Sequence, residues 1–246
     1  MPDRIRKPAA QAARPMATHH NALEAAAATL RAMYDRLLAT YGARNWWPAE
    51  SPFEVVLGAY LTQATAWTSV ERSIAALRSA GVLSVDGIRA TPLDQLRALI
   101  RPSGFVQRKA ASIHAFVGLL DARYGGSLER MAAAPTDVLR HELLALPGTG
   151  PETADAILLY ALRHPVFVAD EYLRRVATRH GLVRENARYA ELQQLGDAAV
   201  ASTTPAETAR HANELHALIV EVGKQHCGTS PRCDGCPLAP FLPCPA

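Results

Sequence analysis

Apolar residues recur at helical spacing along most of the chain, and ten stretches keep that period. They predict helices over 21–41, 52–64, 67–79, 92–100, 107–123, 136–145, 151–163, 171–181, 189–201 and 205–224. Only residues 166–169, VFVA, read as a strand, and no second segment offers them a partner. Two helix starts carry a hydroxyl at the N-cap followed by proline: Thr91-Pro92 and Thr204-Pro205. Glu207 is spaced to complete a capping box with Thr204. The pattern predicts an all-α fold.

Composition agrees. The chain has 246 residues, 49% of them hydrophobic, enough to bury a core in one domain or two intertwined ones. Aromatic residues are scarce and β-branched runs are short. No apolar stretch is long enough to span a membrane, and no signal-peptide pattern opens the chain. Residues 1–18 read as a flexible basic tail. Within 1–20, Arg4, Arg6, Lys7 and Arg14 face only Asp3, which accounts for the whole net charge of +3. The rest of the chain is neutral overall, so contacts to a polyanion must be made locally.

All four cysteines, Cys227, Cys233, Cys236 and Cys244, fall in the last twenty residues, spaced C-x5-C-x2-C-x7-C. None is placed for a fold-wide disulfide framework, which points to a reducing compartment and a local metal site. Four thiolates can hold a [4Fe–4S] cube or a zinc ion. Zinc sites commonly use two close pairs; the single C-x-x-C and the compact run fit the cube better.

The helical pattern breaks at LPGTGPETADAILLYA, residues 146–161, between two amphipathic stretches. Leu139, Leu143 and Leu146 share one face, and Ala154, Ile157, Leu158, Ala161 and Leu162 another, so the segment reads as a helical hairpin. Gly148 and Gly150 permit backbone geometry closed to other residues and leave no side chain in the way of an approaching group. Pro151 suits a first helical turn, whose free N–H groups suit a phosphate oxygen. A plain tight connection between packed helices is the bland alternative.

Asp170 stands just before the helix predicted at 171, where an N-cap role alone would account for it. The helix from 151 climbs on the order of 20 Å at about 1.5 Å per residue. Residues 164–169, if extended, return about as far at roughly 3.3 Å each. Asp170 is therefore expected beside Glu152 and the hairpin. A helix N-terminus favours the ionised carboxylate, which could stabilise positive charge developing nearby.

The string L-P-G-x-G-x-x-T-A resembles the helix-hairpin-helix element of the endonuclease III superfamily of DNA glycosylases. Together, WWP, L-T-Q-x-T, RPSGF-x-x-x-KA and G-x-E-x-ADAILLYA resemble one branch, the endonuclease III-like 3-methyladenine DNA glycosylases, over about residues 44–224. The resemblance implies two intertwined helical domains. A six-helix domain would cover 46–165 and end in the hairpin. The N-terminal helix, 19–45, would join 166–246 in an iron–sulfur cluster domain. It also implies a [4Fe–4S] loop, although the common spacing C-x6-C-x2-C-x5-C differs here by one residue and by two.

By motif position, Asp170 matches the catalytic aspartate. Gln63 matches the plug and Phe105 the wedge that fill the gap left by an extruded nucleotide. Gly148, Gly150 and Lys109 join them as DNA contacts. Trp46, Trp47, Tyr60 and Trp67 are the candidate walls of a base pocket, where electron-rich rings would stack on a cationic base. Glu152 stands where bifunctional members carry the lysine that attacks the sugar, and a carboxylate cannot form that imine. Lys7 lies in the tail, Lys224 near the cluster ligands, and Lys109 is a weak substitute. Gly58 occupies the place where the adenine-mismatch branch needs glutamate, which argues against that branch.

The expectation is a monomeric, bacterial-type, cytoplasmic and nucleoid-associated DNA glycosylase. It would remove damaged bases, alkylated purines first, from double-stranded DNA with weak or no lyase activity. Rival expectations are excision of oxidised pyrimidines or mismatched uracil or thymine, and non-catalytic damage binding.

Overall fold

The structure is a computed structural model that describes residues 16–243, with side chains from residue 21. The expected tail at 1–18 lies outside the described residues except for its last three, which already belong to the first helix; Cys244 also lies outside them.

Twelve α-helices are present among the described residues: α1 (Met16–Tyr41), α2 (Pro52–Leu61), α3 (Trp67–Ser79), α4 (Val85–Ala90), α5 (Leu93–Leu99), α6 (Val106–Tyr124), α7 (Leu128–Ala132), α8 (Thr136–Leu144), α9 (Pro151–Ala156), α10 (Glu171–Arg179), α11 (Tyr189–Val200) and α12 (Pro205–Gln225). α9 continues into a π-helical turn, Ile157–Ala161. None of the helices is long and apolar enough to cross a membrane.

Every residue of α2 from Phe53 to Leu61 is buried, so this helix lies in the middle of the core. α2 packs against α3, α6, α9 and the π turn. α1 lies on α11 and α12, and α10 packs along α12, so the first helix sits with the last ones.

Described residues form no strand, and the expectation at 166–169 is corrected. VFVA joins no ladder, and side chains of α11 take up three of its backbone groups. Asp197 accepts the Phe167 N–H at 2.8 Å, Gln193 donates to the Phe167 carbonyl at 3.1 Å, and the Ala169 N–H reaches the Tyr189 hydroxyl at 3.4 Å. Beneath this segment lies Asp155, fully buried. Its carboxylate accepts from Arg140 (2.7 and 3.1 Å), Tyr189 (2.8 Å) and Gln193 (2.7 Å), tying α8, α9 and α11 together. Removing one partner of such a buried pair typically costs about 3–5 kcal/mol.

One capping expectation changes. Thr91 closes α4, a helix too short to show a period, by donating its hydroxyl to the Gly87 carbonyl at 2.7 Å; Pro92, not Thr91, is the N-cap of α5. Thr204 does cap α12, accepting the Glu207 N–H at 3.2 Å. The Glu207 carboxylate collects the hydroxyls of Ser202, Thr203 and Thr204.

Candidate active site

A cleft of about 830 Å³ opens between the hairpin, the α2–α3 loop, the start of α10 and α12. Its lining brings together Trp46, Trp47, Gln63, Trp67, Gly148, Gly150, Glu152 and Asp170, from four separate stretches of the sequence.

The hairpin forms one wall. Gly148 has φ +72°, and a Cβ there would lie 2.3 Å from the Ser112 hydroxyl oxygen, so both backbone and space require glycine. Gly150 differs from the expectation. Its φ is −88°, open to any residue, and a Cβ would touch nothing. Its glycine keeps the outer surface bare at the N-cap of α9, with Pro151 at N1. From behind, Tyr60 Oη meets Thr149 Oγ1 at 3.0 Å. Tyr60 is fully buried and does not line the cleft, so the pocket-wall assignment for it is corrected: it braces the turn. Burial pushes its phenol up to about 12.

Asp170 enters as the N-cap of α10, directly after the 166–169 segment. Oδ1 accepts the Leu173 N–H at 2.8 Å, and Oδ2 lies 3.5 Å from His216 Nε2. Both side chains are about nine-tenths shielded, at 12% and 10% exposure, and His216 Nε2 has no other partner. His216 Nδ1 is hydrogen-bonded to Tyr160 Oη. Burial, then the charges of Asp170 and Glu214, hold the Tyr160 phenol far above its ordinary range, so it stays protonated.

Glu152 keeps contact with solvent on the hairpin side of the cleft. Partial desolvation raises its carboxyl above the usual range, the Asp170 charge adds to the rise, and His216 opposes it. The structure thus brings the two acids into electrostatic contact.

Aromatic rings make the inner wall. Trp47 stands with its ring centroid 5.3 Å from Tyr160 and 5.5 Å from Trp67, and Trp46 lies 5.5 Å from Trp67. Gly58 makes room for them. A Cβ at that position would come 3.0 Å from the Trp47 ring. Tyr160 and His216 were missed from sequence; each sits in an apolar run that reads as core.

At the mouth, Gln63 donates its amide to the Gly148 carbonyl at 3.0 Å and to Thr153 Oγ1 at 2.9 Å. Phe105 stands 62% exposed on a left-handed backbone (φ +47°), away from the cleft lining. Lys109 contradicts its expected place. It is fully buried and donates to the Leu61 carbonyl (2.8 Å), Thr65 Oγ1 (2.7 Å) and the Ser103 carbonyl (2.7 Å). An ammonium has three donors, and all are used, so Lys109 neither touches DNA nor offers an amine. Lys224, set aside from sequence because it lies near the cluster ligands, does line the cleft, from α12.

The cysteine loop follows α12. Cys227 is buried, Cys236 half-buried and Cys233 exposed. Burial, and then the neighbouring Cys227 and Cys233, push the Cys236 thiol up, so the three sulfurs feel one another. The Arg179 guanidinium donates to Cys227 Sγ at 3.0 Å, a contact suited to a thiolate. No three side chains among the described residues converge into a finished metal-holding group, and the fourth cysteine lies outside them. The donor set of this loop fits a thiolate-bound cluster chemically.

Residues 57–205 match the model of the HhH-GPD superfamily base excision DNA repair proteins. MJ1434, a candidate DNA repair glycosylase of Methanocaldococcus jannaschii, is 41% identical over 211 residues, 85% of this chain and 93% of its own. The structure of an H. pylori 3-methyladenine DNA glycosylase bound to 1,N6-ethenoadenine is 30% identical. It superposes with a TM-score of 0.67 over 83% of this chain and 97% of that one. An endonuclease III trapped as a covalent intermediate with DNA shares the fold at a TM-score of 0.72 and 23% identity, over 88% of this chain and 95% of that one. The chain is a DNA N-glycosylase and belongs to the HhH-GPD superfamily of base excision DNA repair proteins.

Proposed function

We propose that the protein is a monofunctional glycosylase that releases alkylated purines from double-stranded DNA. The observation that carries this reading is the placement of the Asp170 carboxylate in a cleft walled by Trp46, Trp47, Trp67 and Tyr160. An N3-alkylated adenine is cationic and already a good leaving group, so it needs no general acid. It needs rings that prefer a cation, worth roughly 2 kcal/mol per desolvated contact. It also needs an anion beside the sugar as positive charge develops there. The H. pylori relative, a 3-methyladenine DNA glycosylase, supports the same substrate class.

In this reading Gln63 and Phe105 enter the duplex as plug and wedge, and the hairpin glycines 148 and 150 face the phosphate backbone. Residues 46–165 act as one helical domain, and α1 joins the C-terminal part as the other. Cys227, Cys233, Cys236 and Cys244 hold a [4Fe–4S] cluster. Iron and acid-labile sulfide, about four of each per chain in protein purified without oxygen, would support it; an iron-free preparation would refute it.

The functional test is incubation with duplexes carrying 3-methyladenine, 7-methylguanine, hypoxanthine, thymine glycol or uracil, followed by separate alkali treatment. Alkylated purines should be released, with strand breaks only after alkali. Release of the pyrimidine lesions alone would overturn the substrate class. Breaks without alkali, lost in Lys224→Ala, would overturn the monofunctional reading, because Lys224 is the amine on the cleft wall.

A further inference from the structure

Lys109 is the buried charge that the site's chemistry leaves unused. Its three acceptors come from two separate places: the end of α2 with the loop that follows it, and the turn that precedes α6. Leu61 and Thr65 bracket Gln63, each two residues away, and Ser103 stands two residues before Phe105. The Thr65 hydroxyl lies 3.0 Å from the Gln63 carbonyl and 2.8 Å from the Ser103 carbonyl, so it shares its one proton between the loops while accepting from the ammonium. Ser103 is fixed in turn through its hydroxyl, 2.8 Å from Ser73 Oγ on α3.

Both loops carry a non-glycine residue in left-handed backbone, Ala64 at φ +49° and Phe105 at φ +47°. Such residues persist only where their surroundings over-determine them. The Lys109 ammonium also lies 5.9 Å from the centroid of the Phe105 ring. One buried cation therefore fixes the backbone on both sides of Gln63 and just ahead of Phe105.

We propose that Lys109 is a positioning residue that couples the Gln63 loop to the Phe105 loop, so that the two side chains enter the duplex as one rigid unit. This rests on the reading of those side chains as plug and wedge. The coupling matters most where the target base is stacked and paired, because the space it leaves must be filled in one step. It matters little where the base is already unpaired.

The test compares wild type, Lys109→Met, Thr65→Val, the double variant Gln63→Ala/Phe105→Ala and the triple variant that adds Lys109→Met to it. Substrates carry the alkylated base in a paired duplex or in a single-nucleotide bulge. A second duplex pairs an uncleavable abasic analogue with 2-aminopurine, whose fluorescence reports unstacking whether or not any base is excised. Lys109→Met should lose about tenfold or more on the paired substrate and less than about threefold on the bulge, with the 2-aminopurine signal reduced. Adding Lys109→Met to the double variant should change little, because its effect passes through the residues already removed.

Equal losses on both substrates, or a full further loss in the triple variant, would overturn the coupling. If Lys109→Met does not fold, Thr65→Val removes one acceptor of the same clip and should show the same paired-over-bulge bias in smaller measure; an unbiased Thr65→Val would refute the proposal. If Gln63→Ala/Phe105→Ala leaves the 2-aminopurine signal intact, the plug-and-wedge reading itself falls and the coupling with it. If that signal drops while Lys109→Met leaves it at the wild-type level, only the coupling falls.

Discussion

His216 Nε2 stands 3.5 Å from Asp170 Oδ2, while the other carboxylate oxygen accepts the Leu173 N–H at 2.8 Å. One oxygen of Asp170 thus caps α10 and the other faces an imidazole and the cleft. In the proposed role, capping and chemistry are served by different atoms of one side chain, so they separate by mutation. Asparagine caps a helix about as well as aspartate but carries no charge. Asp170→Asn should keep the melting temperature and DNA affinity near wild type and lower excision roughly 10²–10³-fold, the range found when one stabilising electrostatic partner is removed. Single-turnover kinetics beside a binding isotherm checks this. An active asparagine variant would remove Asp170 from the chemistry.

Glu152 reports on what kind of glycosylase this is. It shares the cleft with Asp170, whose charge helps to raise its carboxyl above the usual range. Lysine at that place would put an amine beside the same anion, where bifunctional relatives carry theirs. Glu152→Lys should therefore yield a protein–DNA adduct with abasic-site DNA that borohydride reduction traps, where wild type yields none. Retained DNA binding with no adduct would show that the hairpin position does not reach the sugar.

The segment that delivers Asp170 has a pH-sensitive support. Burial pushes the Asp197 carboxyl up to about 6 from an ordinary value of 3.8, and the Phe167 N–H that it accepts only partly offsets this. Because the folded-state value is the higher one, the native state binds the proton more tightly. The stabilisation is full below about pH 4 and is lost as pH rises through about 6. An asparagine in place of Asp197 keeps an acceptor for the Phe167 N–H without the charge. Asp197→Asn should then melt higher than wild type at pH 7.5, by about 2–4 °C for roughly 1 kcal/mol after allowance for partial solvent screening. The difference should vanish at pH 4. An equal difference at both values would mean that the charge is not what destabilises the wild type.

Most helices were legible because their apolar stripes repeat over several turns: α3 spans the predicted 67–79, and α6, α8, α11 and α12 end within one residue of expectation. α4 and α7 were not, since six and five residues complete no stripe. Their local signals were Ser84 and Ser127, whose hydroxyls accept the N–H groups of Gly87 and Arg130. Asp170 and Glu152 could be brought together by arithmetic on helix rise and strand length. Lys109 could not be placed, because two of its three partners are backbone carbonyls, which carry no signature in sequence. Tyr60 looked like a pocket wall until the burial of nearly all of α2 set it in the core, and His216 gave no signal apart from an apolar neighbourhood.

The hairpin glycines make opposite predictions, and the pair isolates how the protein grips DNA. At Gly148 an alanine meets two penalties in the free protein: a left-handed φ of +72°, costing about 1–2 kcal/mol, and a Cβ 2.3 Å from Ser112 Oγ. Overpacking of that kind adds typically 1–3 kcal/mol, so Gly148→Ala should lower the melting temperature and distort the turn. At Gly150 neither penalty exists, since φ is −88° and nothing lies within 4 Å of a Cβ. Gly150→Ala should melt like wild type. If the turn seats a phosphate, however, the added methyl stands where the phosphate would approach, and affinity should fall about tenfold for damaged and undamaged duplex alike, because backbone contacts carry no sequence or lesion information. Calorimetry and fluorescence anisotropy on the two variants decide the matter. A Gly150→Ala protein that binds duplex as tightly as wild type would move the DNA backbone away from this turn, whatever Gly148→Ala does.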